Sequence, residues 1–331
     1  MKGLIWAMTL VLAISQLPGC RARPAPTPTS RALPTSTPIT ASSPSPAATP
    51  TADAPATPTP AKRNFKVVFH PDYLQVYSSE PAAASGRLEA IVEALQDSYV
   101  FVRPEPAREE DLRRVHTQRL IDEIKTNPQL NNVARLAAGG AILAAELAAA
   151  GEVAFGLIRP VGHHASPDSH WGYAYFNNIA VALEKLMAEN KIQRPLIVDF
   201  DLHFGDGTYN IFRNDSGVLY YHVSEEVRAL EEFQVGSLTS QEVRELELGS
   251  LEGFLNRTTG YDILAVSAGF DSGKEDWGGG MFEMEDFRTI GKLLKEAALR
   301  NSGGKRFAVL EGGYNQDILG KNVRAFLEGF E

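Results

Sequence analysis

The stretch VDFDLHFGDGT, residues 198–208, sets an aspartate two residues before a histidine inside an apolar run, in a chain with only seven histidines. Side chains two apart in an extended strand share a face, so Asp199, Asp201 and His203 could all point one way, with the turn at Gly205 splaying them into a cup. Carboxylate oxygen and imidazole nitrogen are donors for a catalytic divalent metal, which takes three protein ligands and keeps a position open. Asp271, in AGFDSG, offers the third ligand from elsewhere in the chain. An isolated Asp-x-His is more often a solvated loop. The adjacent pair His163 and His164, in RPVGHHA, shifts the balance toward a site, because imidazoles beside a metal can accept and return protons.

These residues need a frame that brings them together. Short apolar runs at 65–69, 153–158, 196–201, 218–223, 262–268 and 306–311 read as strands, mostly apolar on both faces. Helix-period stretches at 86–97, 109–125, 131–150, 177–190, 285–300 and 315–328 lie between them. The alternation predicts an α/β domain, a mainly parallel sheet flanked by helices. The stretch 131–150 is apolar nearly all round and should be buried, with Gly139 and Gly140 allowing close packing. Four strand ends then deliver polar groups to one edge: His163 and His164 after 153–158, Asp201, His203 and Asp206 after 196–201, Asp271 after 262–268, and Tyr314 after 306–311. In open parallel sheets the chemistry collects beyond the carboxyl ends of the strands.

The segments before this domain have a different texture. Residues 1–20, MKGLIWAMTLVLAISQLPGC, read as a signal peptide, and the Leu-Pro-Gly-Cys ending resembles a bacterial lipobox. Cys20 is the only cysteine, so no intrachain disulfide forms and no zinc site can use thiolates. Residues 21–63 hold 11 of the 20 prolines among Thr, Ser and Ala, and read as a disordered, semi-rigid tether. The expectation is an exported protein, anchored through a lipidated Cys20 to the outer face of a bacterial membrane, with an ordinary secretory signal or an uncleaved anchor as the alternative. Residues 64–331 read as one domain. The first 63 residues carry six of the 32 basic and one of the 41 acidic residues, leaving the domain 26 and 40, a net charge of −14. That balance argues against a nucleic-acid partner and permits a cationic substrate.

The motifs RPVGHHA, GYAYFNN, DFDLHFGDGT, SAGFD and LEGGYN, in this order, resemble the zinc-dependent histone deacetylase family, which includes acetylpolyamine amidohydrolases and acetoin-utilisation proteins. The likeness runs from about FHPDYL at 69 to the C-terminus. It implies an arginase/deacetylase-like fold and one zinc ion held by Asp201, His203 and Asp271. It also implies that Asp199 and Asp206 stand behind His163 and His164 as orienting carboxylates, that Tyr314 faces the metal, and that Gly172 and Tyr173 line the path of an acyl-amine chain. A monovalent-cation site, for potassium, near Asp199 with the His203 backbone and Ser224 is carried over with it. In that scheme His164 with Asp206 is taken as the general base and His163 with Asp199 as the histidine that stays charged, while the sequence alone leaves the reverse assignment open.

Departures from the family pattern bear on the substrate. Phe204 stands where a second histidine is usual, and the stretch 224–261 is shortened and lacks a Pro-Gly-rich wall, for which Phe233 is a weak substitute. No acidic residue able to grip a substrate backbone is found between Lys125 and Ala134. The expected activity is removal of acetyl groups from small acetylated amines, such as acetyl-lysine or acetylpolyamines, or from acetylated peptides. The competing function is a surface-tethered binding protein that keeps the fold and hydrolyses nothing useful.

Overall fold

The computed structural model describes residues 65–224 and 239–331. The signal peptide, lipidated Cys20 and tether expected over 1–63, and Phe233, lie outside the described residues. The strands are β1 (Lys66–Val68), β2 (Val100–Val102), β3 (Ala154–Gly156), β4 (Pro195–Asp199), β5 (Leu219–His222), β6 (Ile263–Ala268) and β7 (Arg306–Leu310). They form a single sheet in the order β2-β1-β3-β7-β6-β4-β5, and every pairing is parallel. The central strands β3, β4, β6 and β7 are buried throughout, as expected for a sheet covered on both faces.

Six strands coincide with the apolar runs seen in the sequence. The seventh, β2, was not among them: it is three half-buried residues at the sheet edge, too short to show a period. The expected helix 109–125 is two helices, Glu109–Leu112 and Gln118–Lys125, because the chain turns between them and restarts at Thr117, whose hydroxyl accepts the Leu120 N–H. Two further helices, Asp206–Phe212 and Ser240–Arg257, were not expected. The helix Pro128–Ala149 is apolar enough to pass for a membrane span, yet 67% of its apolar window is buried inside the domain. Its glycines permit this, since a Cβ on Gly139 would meet the Glu105 carbonyl at 1.9 Å and one on Gly140 would meet the Tyr73 hydroxyl at 2.6 Å.

Beneath the strand ends lies an aromatic cluster. Phe200, immediately before Asp201, packs on Phe270, immediately before Asp271, with ring centroids 5.6 Å apart, and both pack on Phe326 at 5.2 and 5.9 Å. Each such pair contributes about 0.5–1.5 kcal/mol beyond the area it buries. Because successive side chains alternate in direction, anchoring the two phenylalanines in the core turns the two aspartates toward the opposite, functional side.

Candidate active site

The four adjacent strands β3, β7, β6 and β4 end beside one cavity of about 480 Å³, lined among others by His163, His164, Gly172, Tyr173, Asp201, His203 and Tyr314. Size alone does not single it out, because a cavity of about 510 Å³ lies near Arg103 and Arg135. What distinguishes the first is the set of acid, base and ligand groups meeting in it.

Asp201, His203 and Asp271 present oxygen, nitrogen and oxygen donors that all lie within 4.8 Å of one another. His203 Nδ1 is 3.3 Å from Asp201 Oδ1 and 3.1 Å from Asp271 Oδ2. The outer oxygens are fixed from behind: Asp201 Oδ2 accepts the Gly312 N–H at 2.8 Å and Asp271 Oδ1 accepts the Leu202 N–H at 3.1 Å. Gly312 must be glycine for this approach, since a Cβ there would fall 2.6 Å from both carboxylates. Both aspartates are buried. Burial disfavours charge on Asp201, but the neighbouring His163 cation together with hydrogen bonds from His203 and the Gly312 amide outweighs it and holds this carboxyl below the usual range. Burial and the charge on Asp201 push Asp271 up to about 6. Hydrogen bonds to the two aspartates raise His203 to about 10. Two buried carboxylates forced together around one imidazole are the donor set and the charge excess that a zinc ion would satisfy, so these residues fit the metal.

The two histidines stand beside this triad, each backed by a carboxylate. His163 Nδ1–H donates to Asp199 Oδ2 at 3.1 Å, and His164 Nδ1–H donates to Asp206 Oδ1 at 2.7 Å. Their rings are 4.0 Å apart, yet their protonation diverges. Burial opposes charge on His163, but Asp201 and Asp199 overcome it and raise its pKa well above the ordinary value. Burial, reinforced by the charge on His163, lowers His164 to about 4. The pair therefore holds one charged and one neutral imidazole.

Tyr314 closes the cavity from the end of β7. The backbone N–H groups of Tyr314 and Asn315 both donate to Asp276 Oδ2 at 2.8 Å, which fixes the turn after Gly313. Burial raises the Tyr314 phenol far above its ordinary value, so it keeps its proton. Tyr173 and Trp277 flank it with ring centroids 6.0 and 6.1 Å away. Gly172 and Tyr173 both have positive φ, 58° and 66°, and a Cβ on Gly172 would meet His164 Cδ2 at 2.4 Å, so this segment is bent tightly over His164.

The oxygens that would hold potassium are already engaged. Asp199 Oδ1 accepts the Asp201 N–H at 3.1 Å, Asp199 Oδ2 accepts from His163 and from the Tyr220 hydroxyl at 3.2 Å, and the His203 carbonyl accepts from His222 Nε2–H at 3.1 Å. A cation there would share these oxygens with the hydrogen bonds they already accept, and the His222 imidazole lies against the carbonyl it would need.

The family model described as histone deacetylase domain matches residues 82–229 and 255–330. The chain belongs to the histone deacetylase family. It is 32% identical over 290 residues to a probable deacetylase of Methanothermobacter thermautotrophicus, covering 75% of this chain and 85% of that one. It is 30% identical over 253 residues to a histone deacetylase-like amidohydrolase of Pseudomonas aeruginosa, covering 64% of this chain and 65% of that one. The crystal structure of the HDA15 HD domain shares the fold with a TM-score of 0.68 at 24% identity, over 81% of this chain and 89% of that chain. The histone deacetylase match is interrupted between 229 and 255, inside the stretch where the sequence departs from the family pattern. Phe204, the other departure, packs against Tyr220 and His222 with centroids 5.9 and 5.5 Å away.

Several residues that shape the site are absent from the sequence reading. Glu311, buried at the end of β7, accepts backbone N–H groups from the His163 segment. Arg87, also buried, donates to the carbonyls of Glu311 and Gly313 and lies 5.3 Å from the Tyr314 ring. Asp276 and Trp277 come from a segment with no recognised motif. Only Glu311 carried a signal, a charged residue closing an apolar strand inside LEGGYN.

Proposed function

We propose that this histone deacetylase family member is a zinc-dependent amidohydrolase that removes acetyl groups from acetylated amines such as acetyl-lysine or acetylpolyamines. The observation that carries the reading is the convergence of Asp201, His203 and Asp271 beside a charged and a neutral histidine. Zinc at such a triad supplies Lewis acidity, polarising an amide carbonyl and making water a competent nucleophile near neutral pH.

The protein groups divide the remaining work. Neutral His164 offers Nε2 as the proton acceptor, while Asp206 holds its Nδ1–H and so fixes the tautomer. His163, whose Nδ1–H is held by Asp199 at 3.1 Å, stands where its charge would stabilise negative charge developing next to it. Tyr314, still carrying its proton, donates to the oxygen of the amide carbonyl as that oxygen becomes anionic; a donor of this kind is worth about 3 kcal/mol. His164 then returns the proton to the departing amine nitrogen. Gly172, Tyr173 and Trp277 give the leaving chain an aromatic path toward the cavity mouth.

Residues 1–63 support an address outside the cytoplasm, with Cys20 as the lipid attachment point, and hence small acetylated amines or peptides as substrates. Mass spectrometry of the mature N-terminus tests the address. Acetate release from a panel of acetyl-lysine peptides and acetylpolyamines, with chelator and then added zinc, tests the chemistry. Turnover that chelator abolishes and zinc restores is expected. Stoichiometric zinc with no turnover on any member would sink the reading in favour of a surface-tethered binding protein.

A further inference from the structure

Trp171 is an exposed aromatic residue at the cavity mouth, 54% accessible, and it touches the general-base pair at two points. Its indole N–H donates to Asp206 Oδ2 at 2.9 Å, while Asp206 Oδ1 is the oxygen that accepts from His164. Its ring lies over the His164 imidazole with centroids 3.9 Å apart and planes 36° from parallel. The backbone that presents it is held as well: the Ala174 N–H donates to the Trp171 carbonyl at 3.0 Å, and the left-handed turn at Gly172 and Tyr173 presses the chain onto His164.

We propose that Trp171 is a positioning residue that clamps the His164–Asp206 pair, its N–H fixing the carboxylate and its ring fixing the imidazole. The inference rests on the deacylation reading given above. Asp206 alone is a weak anchor, because its side chain is 36% exposed and a solvated carboxylate can rotate about its χ angles. Each Asp206 oxygen instead has its own donor, one from the base and one from the indole. A carboxylate pinned at both oxygens cannot turn without breaking a charge-assisted hydrogen bond. The imidazole has the indole ring centroid 3.9 Å away and the His163 ring centroid 4.0 Å away, so both neighbours hinder His164 from swinging away while its Nε2 accepts a proton. Orientation of this kind affects the chemical step more than ground-state binding.

The two halves of the clamp separate by substitution. Trp171→Phe keeps a ring over His164 and removes the N–H, so kcat is expected to fall by roughly tenfold with KM unchanged, the size of a lost hydrogen bond to a charged group. Trp171→Ala removes both and is expected to fall further. Trp277→Phe, which alters the same mouth without touching the pair, is the contrast and should move KM instead. A Trp171→Phe enzyme with raised KM and intact kcat, or with neither changed, would overturn the proposal. A second readout needs neither a variant nor turnover. In the full chain, with three tryptophans, the Trp171 indole N–H should exchange with solvent much more slowly than that of the more exposed Trp277; equal rates would also overturn the clamp. Were the wild type to show no deacylation, the proposed function would fail, and indole exchange would still decide whether the clamp exists.

Discussion

The Glu311 carboxylate accepts the His163 backbone N–H at 3.2 Å and the Gly162 N–H at 2.7 Å, both through Oε2. A buried side chain at the end of β7 thus sets the backbone from which the two histidines project. Burial pushes its carboxyl up to about 7, which marks a group retained in spite of its desolvation. Glu311→Gln preserves an acceptor of the same shape and is expected to leave stability within about 1 kcal/mol of wild type. Glu311→Ala strands two buried N–H groups and opens a void, and is expected to cost roughly 2–4 kcal/mol in urea unfolding. Equal losses in the two variants would refute this role.

Tyr314→Phe removes one hydroxyl and keeps the ring between Tyr173 and Trp277. A donor needed only as the amide oxygen becomes anionic should appear in kcat alone, with a loss on the order of 100-fold to 1,000-fold. A rise in KM as the main effect would instead make Tyr314 part of the substrate wall.

Asp201 and Asp271 repel each other in a buried space. Chelator is therefore expected to lower the melting temperature of the wild type and added zinc to restore it, since a ligand that binds only the folded state stabilises it. Asp271→Asn relieves the repulsion and deletes a ligand charge. Its metal-free form should melt above metal-free wild type and gain nothing from zinc. A variant that gains as much as wild type would remove Asp271 from the ligand set.

His116 supplies a pH dependence remote from the metal ligands. Its Nδ1–H donates to the Ser166 carbonyl at 3.0 Å and its Nε2 accepts the Asn177 N–H at 2.9 Å, so only the neutral ring satisfies both. Burial lowers it from 6.5 to about 4. Below pH 6.5 the unfolded chain takes up a proton that the folded chain refuses until about pH 4. Stability is thus complete above 6.5 and declines as pH falls through that window, by up to roughly 3 kcal/mol. Denaturant titrations at pH 7 and 5 should show the decline, and His116→Gln should flatten it.

The His222 imidazole donates to the His203 carbonyl that a monovalent cation would need. Replacing sodium with potassium is expected to leave both melting temperature and turnover unchanged. A potassium-dependent rise in either would mean that His222 yields its place to the ion.

The sequence exposes the residues that react more readily than those that hold them. Asp201, His203, Asp271, His163, His164 and Tyr314 follow strands whose apolar runs are unmistakable, so their meeting at one edge follows from parallel topology. The supports Glu311, Arg87, Asp276 and the bond from Trp171 to Asp206 act across 35 to 226 residues of chain separation, and no local period encodes such a distance. The helix Ser240–Arg257 was legible in principle, because Thr239 and Glu242 form a capping box, with the Thr239 N–H donating to Glu242 Oε2 at 2.7 Å. Its polar, weakly amphipathic sequence hid it. The edge strand β2 had no such cue.

In chain order β7 comes last, yet it lies between β3 and β6 near the middle of the sheet. Before it inserts, β2-β1-β3 and β6-β4-β5 are two unconnected half-sheets, Asp201 lacks the Gly312 amide, and neither Glu311 nor Tyr314 is in place. Until that strand is in place the candidate site is incomplete, however well formed the two halves on either side of it are.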